Sequence, residues 1–368
     1  MDFKLKLSNL IKIKKCKICD SKNTKVISQI FYKNEFIFLE TSICKKCLFV
    51  FRSKTPNFLW MKKQFLLRSK NQSNNSGGIN YKYERFRVER YKKLYNFLKD
   101  KAKLKNIFEI GCATGLGLNY FKKKGCNVEG IDLDKTRIKI AKKLRIKVKN
   151  IDINKFYTKK KYSTIFLIHT LEHLYNIKKI FSKIKNIIAR DGFLYLEVPN
   201  IKHNVRSWHD SLYIGHQNIF CFENIIYLLK KHHFRILYRS FPQTENGEIN
   251  IGLLCSLKKN NLPKINTDLN KKFGLQNFVN KYKTIKKNSY INKSIIKINI
   301  NKINDLSLTF VFKKNIKLNP YINRDLLFNA KINKYEIIEP KQIKNHFLNK
   351  KIKILKMTRF KKMTNIQT

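Results

Sequence analysis

A chain of 368 residues, 43% hydrophobic and carrying a formal charge of +56, is long enough for one α/β domain with appendages. No apolar run approaches the roughly 18 residues of a membrane helix. The lysine-interrupted N-terminus lacks both the apolar core and the small-residue cleavage site of a secretory leader, so a cytoplasmic protein is expected. The charge alone does not argue for a nucleic-acid partner. About five lysines stand for each arginine, and isoleucine and asparagine are inflated with them, as A/T-rich codons produce. Arginine, the reader of phosphate and guanine geometry, is sparse and scattered.

The first element with a chemical signature is a pair of C-x-x-C knuckles, Cys16–Cys19 and Cys44–Cys47, separated by the aromatic-rich run 26–40, which reads as a β-hairpin. Four thiolates so spaced can surround one zinc and fold a segment too small for its own core. The bland alternative is two disulfides or free thiols, and a reducing compartment opposes the disulfides. With all four ligands from protein, such a zinc is structural. Cys112, Cys126, Cys221 and Cys255 follow no ligand pattern and read as small buried residues.

Residues 48–51 are apolar and expected to pack the knuckles onto a neighbour. Residues 71–78 (Asn-Gln-Ser-Asn-Asn-Ser-Gly-Gly) read as a loop. Residues 81–98 read as a basic amphipathic helix with Phe86, Arg90, Leu94 and Phe97 at helical spacing.

An apolar strand, 106–110, then stops at Gly111-Cys-Ala113-Thr-Gly115, and an amphipathic helix opens at once. Such a junction offers free main-chain N–H groups and a helix N-terminus to a ligand. The next strand ends in Asp132, about 20 residues on, where a carboxylate can accept hydrogen bonds from ribose hydroxyls. The pattern is that of an adenosine half-site. Position 116, where a dinucleotide fingerprint wants its third glycine, is leucine. Gly125 suits the C′ position of the helix 117–124, and Asp134 can cap the helix after Asp132. Strands are expected at 146–151, 164–168 and 193–198, helices at 176–189 and 222–232, and an Asp191-Gly192 turn before the 193–198 strand. A closing pair of strands is expected at 235–239 and 249–257.

Glu109-Ile-Gly111-Cys-Ala113-Thr-Gly115, with Asp132, resembles motif I and the ribose acid of Rossmann-like S-adenosylmethionine-dependent methyltransferases. His169-Thr-Leu-Glu172-His173-Leu and Val198-Pro199-Asn200 match further strand-end motifs of that family. The resemblance covers roughly residues 80–255 and implies a seven-stranded α/β sheet closed by an antiparallel pair. It also implies S-adenosylmethionine as cofactor, held by Glu109, Gly111, Ala113, Gly115, Asp132 and His169, with Asp152 meeting the adenine amino group. For Asp152 a plain loop carboxylate is an equal alternative. Glu172 fits either the cofactor end or a helix cap. The segment before motif I commonly covers the cofactor in this group, which makes Tyr81 and Tyr83 lid candidates beside the reading of ordinary core or surface tyrosines. Ser163 stands where the family often has aspartate, a change expected to concern local packing.

A narrower resemblance is to zinc-containing sugar C-methyltransferases, which carry a similar four-cysteine module, a Tyr-x-Glu-His stretch and a histidine in the fourth-strand loop. The matching residues are Tyr213, His216 and His173, and the glutamate is replaced by Gly215. Without that carboxylate, O-methylation becomes as plausible as C-methylation. Catalysis falls to His216, His173 and Tyr213; the alternative for His216 is a structural histidine bonding a neighbouring loop.

The expected organisation is a zinc-ribbon-like module (1–55), a helical linker or lid (56–100), the methyltransferase domain (101–258) and a C-terminal appendage (259–368) with a helix at 269–285 and strands at 306–312 and 332–338. The expected acceptor is a nucleotide-linked sugar or glycan unit, as in polysaccharide biosynthesis. Two rivals stand beside it: an RNA methyltransferase, and a zinc-bearing binding protein without turnover.

Overall fold

The computed structural model describes residues 5–32, 36–47, 49–76, 81–200, 214–240, 250–257, 290–291, 295–300, 308–312 and 336–337. The N-terminal segment forms β1 (Leu10–Lys12), β2 (Thr24–Tyr32), β3 (Phe36–Cys44) and β4 (Val50–Pro56), followed by α1 (Phe58–Ser76) and α2 (Tyr81–Leu98). The hairpin expected at 26–40 is the antiparallel β2–β3 pair. The loop expected at 71–78 is instead helical as far as Ser76, because α1 carries on through the polar run.

The central domain runs β5 (Asn106–Ile110), α3 (Leu116–Lys123), β6 (Asn127–Asp132), α4 (Lys135–Lys143), β7 (Lys147–Asn150), β8 (Tyr162–Ile168), α5 (Ile177–Ile187) and β9 (Ile188–Pro199). It continues through β10 (Asn218–Ile219), α6 (Phe222–Lys231), β11 (Phe234–Arg239) and β12 (Asn250–Leu257). Seven of these strands form one mixed sheet in the order β11-β12-β9-β8-β5-β6-β7. β5 pairs in parallel with β6 and β8, and β8 with β9, while β12 runs antiparallel to both β9 and β11. The two central strands, β5 and β8, are mostly apolar and almost wholly buried, as a sheet covered on both faces requires.

The Asp191-Gly192 turn is a bulge within β9 rather than a break before it. Tyr162 pairs with Ile188 and Thr164 with Phe193, so five steps along one strand oppose two on the other. Ser163 ties β8 to the start of β5, accepting from Asn106 N–H and donating to Asn106 O, both at 2.9 Å. Asp134 caps α4 as expected, accepting from Thr136 N–H and Arg137 N–H.

β4 is the hinge between the two halves. It pairs with β1 and β3 on one course and with β10 of the central domain on another, Asn218 opposite Phe51 and Ile219 opposite Val50. Cys16, Ile18, Phe49 and Phe51 pack in one apolar cluster with Phe220, Ile225 and Leu228. Further along, β13 (Tyr290–Ile291) pairs with β16 (Glu336–Ile337), and β14 (Ile295–Ile300) with β15 (Leu308–Phe312), which adds in parallel to β2. The strands expected at 306–312 and 332–338 are β15 and β16, and the helix expected at 269–285 lies outside the described residues.

Candidate functional site

Between β5 and α3 the chain turns through Gly111, Ala113 and Gly115, with φ of 84°, 49° and 70°. This left-handed backbone ties the turn to β6 and to itself, Gly111 N–H and Cys112 N–H donating to Ile131 O and Gly115 N–H to Cys112 O, and an added Cβ on Gly111 would collide with Thr170 Oγ1. Asp132, at the end of β6, is pinned against the turn. Its Oδ2 accepts from Ala113 N–H at 2.9 Å and its Oδ1 from Asp134 N–H at 2.8 Å. The ribose-type carboxylate and the turn are therefore one preorganised unit.

Beneath them Glu109 is buried (1% exposed). Its Oε1 accepts from Tyr91 O–H, while Oε2 has no partner among the described residues. Burial pushes this carboxyl up to about 8, against the hydrogen bond from Tyr91 and the charge of Arg87. A carboxyl so held offers its orphaned oxygen to a ligand's hydrogen-bonding group beside the turn. Asp152 is occupied locally: its Oδ1 accepts from Asn154 N–H at 2.8 Å and from Asn154 Nδ2 at 3.0 Å.

α2 closes over this corner. Thr114 Oγ1 donates to Glu84 at 2.8 Å, Arg87 Nη1 reaches Thr114 Oγ1 at 3.5 Å, and the Tyr91 ring lies against Gly117. The sequence pointed to Tyr81 and Tyr83 as the covering residues, whose side chains lie outside the described residues; among the described side chains the contacts come from Glu84, Arg87 and Tyr91. A charge or tyrosine every three or four residues on one face of α2 was the available signal.

The loop after β8 lies beside the turn, since β8 neighbours β5 and Thr170 packs on Gly111. His169 sits there at φ 46°, held between two buried carboxylates: Nε2 to Glu197 Oε1 at 3.1 Å and Nδ1 to Glu172 Oε1 at 3.3 Å. Burial and Arg90 push the His169 imidazolium down, yet the bonds from Glu172 and Glu197 outweigh them and raise its pKa. Burial works the other way on Glu197, but Arg90, 3.7 Å away, and His169 hold it down to about 2. Glu197 escaped the sequence reading, although a lone carboxylate inside an apolar strand marks a buried charge that needs a partner.

His173 and His216 are brought together, their ring centroids 4.9 Å apart. His173 Nδ1 lies 3.0 Å from Gly215 O, and the His216 main-chain carbonyl accepts from Arg52 Nε at 3.0 Å. Gln217 N–H donates to Glu172 O at 2.7 Å, closing the 214–218 segment onto the β8 loop. Tyr213, and with it His203 and His209, lies outside the described residues.

Across β4 the four knuckle cysteines converge, their sulfurs all within 4.8 Å of one another. Cys16 Sγ to Cys47 Sγ and Cys19 Sγ to Cys44 Sγ are each 3.5 Å. That is far beyond the roughly 2.05 Å of a disulfide and close to the roughly 3.7 Å edge of a tetrahedral zinc–thiolate site. Cys112, Cys126, Cys221 and Cys255 are single buried thiols.

Residues 83–238 match the family model described as a methyltransferase domain. Over 124 residues the chain is 27% identical to (S)-coclaurine N-methyltransferase of Papaver somniferum, covering 30% of this chain and 34% of that protein. Over 105 residues it is 30% identical to the ubiquinone biosynthesis O-methyltransferase of Pelagibacter ubique, covering 26% of this chain and 44% of that one. Magnesium protoporphyrin IX methyltransferase from Synechocystis PCC 6803, solved with bound SAH, aligns at 16% identity and a TM-score of 0.43, covering 55% of this chain and 100% of that one. The chain thus spans less than half the length of the curated relatives it matches. The family match falls on the mixed sheet and its glycine turn, so residues 83–238 are similar to a methyltransferase domain.

Proposed function

We propose that the chain transfers a methyl group from S-adenosylmethionine to a small acceptor, a nucleotide-linked sugar or a glycan unit. The observation that carries the donor half is Asp132 locked by main-chain N–H groups against the positive-φ turn. Asp132 would take the ribose hydroxyls, the close-approach surface of Gly111, Ala113 and Gly115 together with Glu109 the rest of the donor, and Asp152 the adenine edge. His169 would line the same edge. When bound, the donor supplies an electrophilic methyl on a sulfonium.

The protein's own part is to hold the acceptor oxygen in line and to receive its proton. His216 and His173 suit the second task, with Tyr213 as their expected companion. The acceptor class is supported by the four-cysteine module lying directly behind His216, and the named relatives are N- and O-methyltransferases. Gly215 in place of a glutamate puts an O–H acceptor, which asks less of its base, level with a carbon acid. The sulfur spacing fits a structural zinc in the module, with residues 1–55 as that module, 56–100 as the lid, 101–258 as the catalytic unit and 259–368 as an appendage.

Calorimetry on the zinc-replete chain tests the donor half. S-adenosylmethionine should bind at about 1–100 µM, and Asp132→Ala should weaken it at least about tenfold, from the loss of one or two charge-assisted bonds. Silence toward that donor at millimolar concentration, with uptake of a nicotinamide dinucleotide instead, overturns the reading. Retention on RNA that persists at physiological salt would replace the small acceptor with a nucleic acid.

A further inference from the structure

We propose that Glu172, His173 and His216 form a second metal site, taking a divalent first-row transition ion, separate from the cysteine cluster. A carboxylate oxygen and one ring nitrogen from each histidine lie within 4.8 Å of one another. A single ion about 2.1 Å from each would draw them to roughly 3–4 Å, a rotamer-scale closing. Two neutral imidazoles and one carboxylate form a donor set of borderline softness, suited to zinc, iron(II), cobalt or nickel and poorly suited to magnesium or calcium.

Three further observations point to a ligand. Glu172 is 2% exposed, and its Oε2 has no hydrogen-bond partner among the described residues. A buried carboxylate oxygen left so is unfavourable unless something binds it. His173 Nδ1 faces the Gly215 carbonyl at 3.0 Å, so it carries the proton and Nε2 carries the lone pair. This outer hydrogen bond to a main-chain carbonyl is the arrangement that fixes the tautomer of metal-binding histidines. The other oxygen of Glu172 is held by His169 Nδ1 at 3.3 Å, which orients the carboxylate in the same way.

The segments bearing the three residues are also fastened to each other, through Gln217 N–H to Glu172 O at 2.7 Å and Asn218 Nδ2 to Leu171 O at 2.9 Å. The site is therefore built before any ion arrives. Three protein ligands leave coordination positions for water or an acceptor oxygen; with an ion bound, His173 and His216 would hold it instead of receiving the proton themselves, and the ion would lower the pKa of the bound hydroxyl toward neutrality.

The experiment adds cobalt(II) to the full chain already loaded with zinc at the cysteines. Weak d–d absorption without thiolate-to-metal charge transfer is expected, saturating at one added equivalent. Glu172→Gln and His216→Gln should each weaken it about tenfold to hundredfold. S-adenosylmethionine titrations on the same samples report the donor site separately, so a failed metal site and a failed donor site give different results. X-ray absorption at the cobalt edge of the unmutated protein covers the case of a variant that does not fold; two imidazole ligands are expected. No d–d bands at millimolar cobalt, a sulfur-dominated or all-oxygen shell, or bands unchanged in both variants would overturn the site.

Discussion

Glu109 shows how much one buried group can govern. It sits at the end of β5 with one oxygen bonded by Tyr91 and the other without a partner among the described residues. Burial lifts its pKa from 4.5 to about 8. Between those values the folded chain binds a proton that the unfolded chain has released, so stability falls as pH rises. The contribution is complete below about pH 4.5 and is lost as pH passes through 8. Urea unfolding should thus show the wild type losing on the order of 1–3 kcal/mol between pH 5 and pH 8.5 relative to Glu109→Gln, which has no proton to lose. Parallel profiles for the two proteins would remove Glu109 from this role. The residue itself was legible in the sequence because it precedes the glycine turn. Its protonation was not, since that comes from burial, a tertiary fact that no local spacing announces. Asp132 was readable for the opposite reason: its partners, Ala113 and Asp134, are main-chain groups of the same strand–turn–helix unit.

At the scale of elements, α2 is the piece whose purpose the sequence half disclosed. Helical periodicity placed it correctly at 81–98, and the position before the glycine turn suggested a cover. Which residues make that cover depends on the crossing of α2 with α3, a tertiary fact that periodicity does not encode. Gly117 is the contact point: a Cβ there would lie 2.5 Å from the Tyr91 ring. Two effects compete in Gly117→Ala. Helix propensity favours alanine by about 1 kcal/mol, whereas forcing a methyl into a closed helix–helix contact costs about 1–3 kcal/mol. The ring is flanked by Phe121 and bonded to Glu109, so it has little room to yield and the clash should win. A lower melting temperature is expected together with donor affinity reduced several-fold, although residue 117 itself faces a helix. Raised stability with unaltered affinity would mean that α2 is not seated on the turn as described. The same limit applies to the polar run after residue 70, which composition marked as a loop and α1 claims as helix.

At the scale of the whole molecule, the cysteine module and the methyltransferase sheet are joined where the acceptor chemistry is proposed. The C-x-x-C spacing was legible because it is local. The pairing of β4 with β10 was not, because 162 residues separate Thr55 from the Gln217 that bonds it. Arg52, fully buried on β4, donates to Thr41 and to the His216 carbonyl, and Lys17 within the first knuckle reaches Gln217 O at 3.1 Å. The 214–218 segment has its main-chain partners largely in the module. The donor turn has none there; it is held by β6, α2 and the β8 loop. Loss of the zinc proposed for the module should therefore act unequally. With Cys44→Ser, or after chelation, the module loses the cross-link that replaces a core, and amide exchange over 214–220 should accelerate at least about tenfold. Donor affinity should stay within about threefold, while methyl transfer falls much further, because the histidines drift from the acceptor before the donor turn is disturbed. If exchange over 214–220 stays at the wild-type rate while the knuckles open, β4 does not support His216, and the module serves some purpose away from the site.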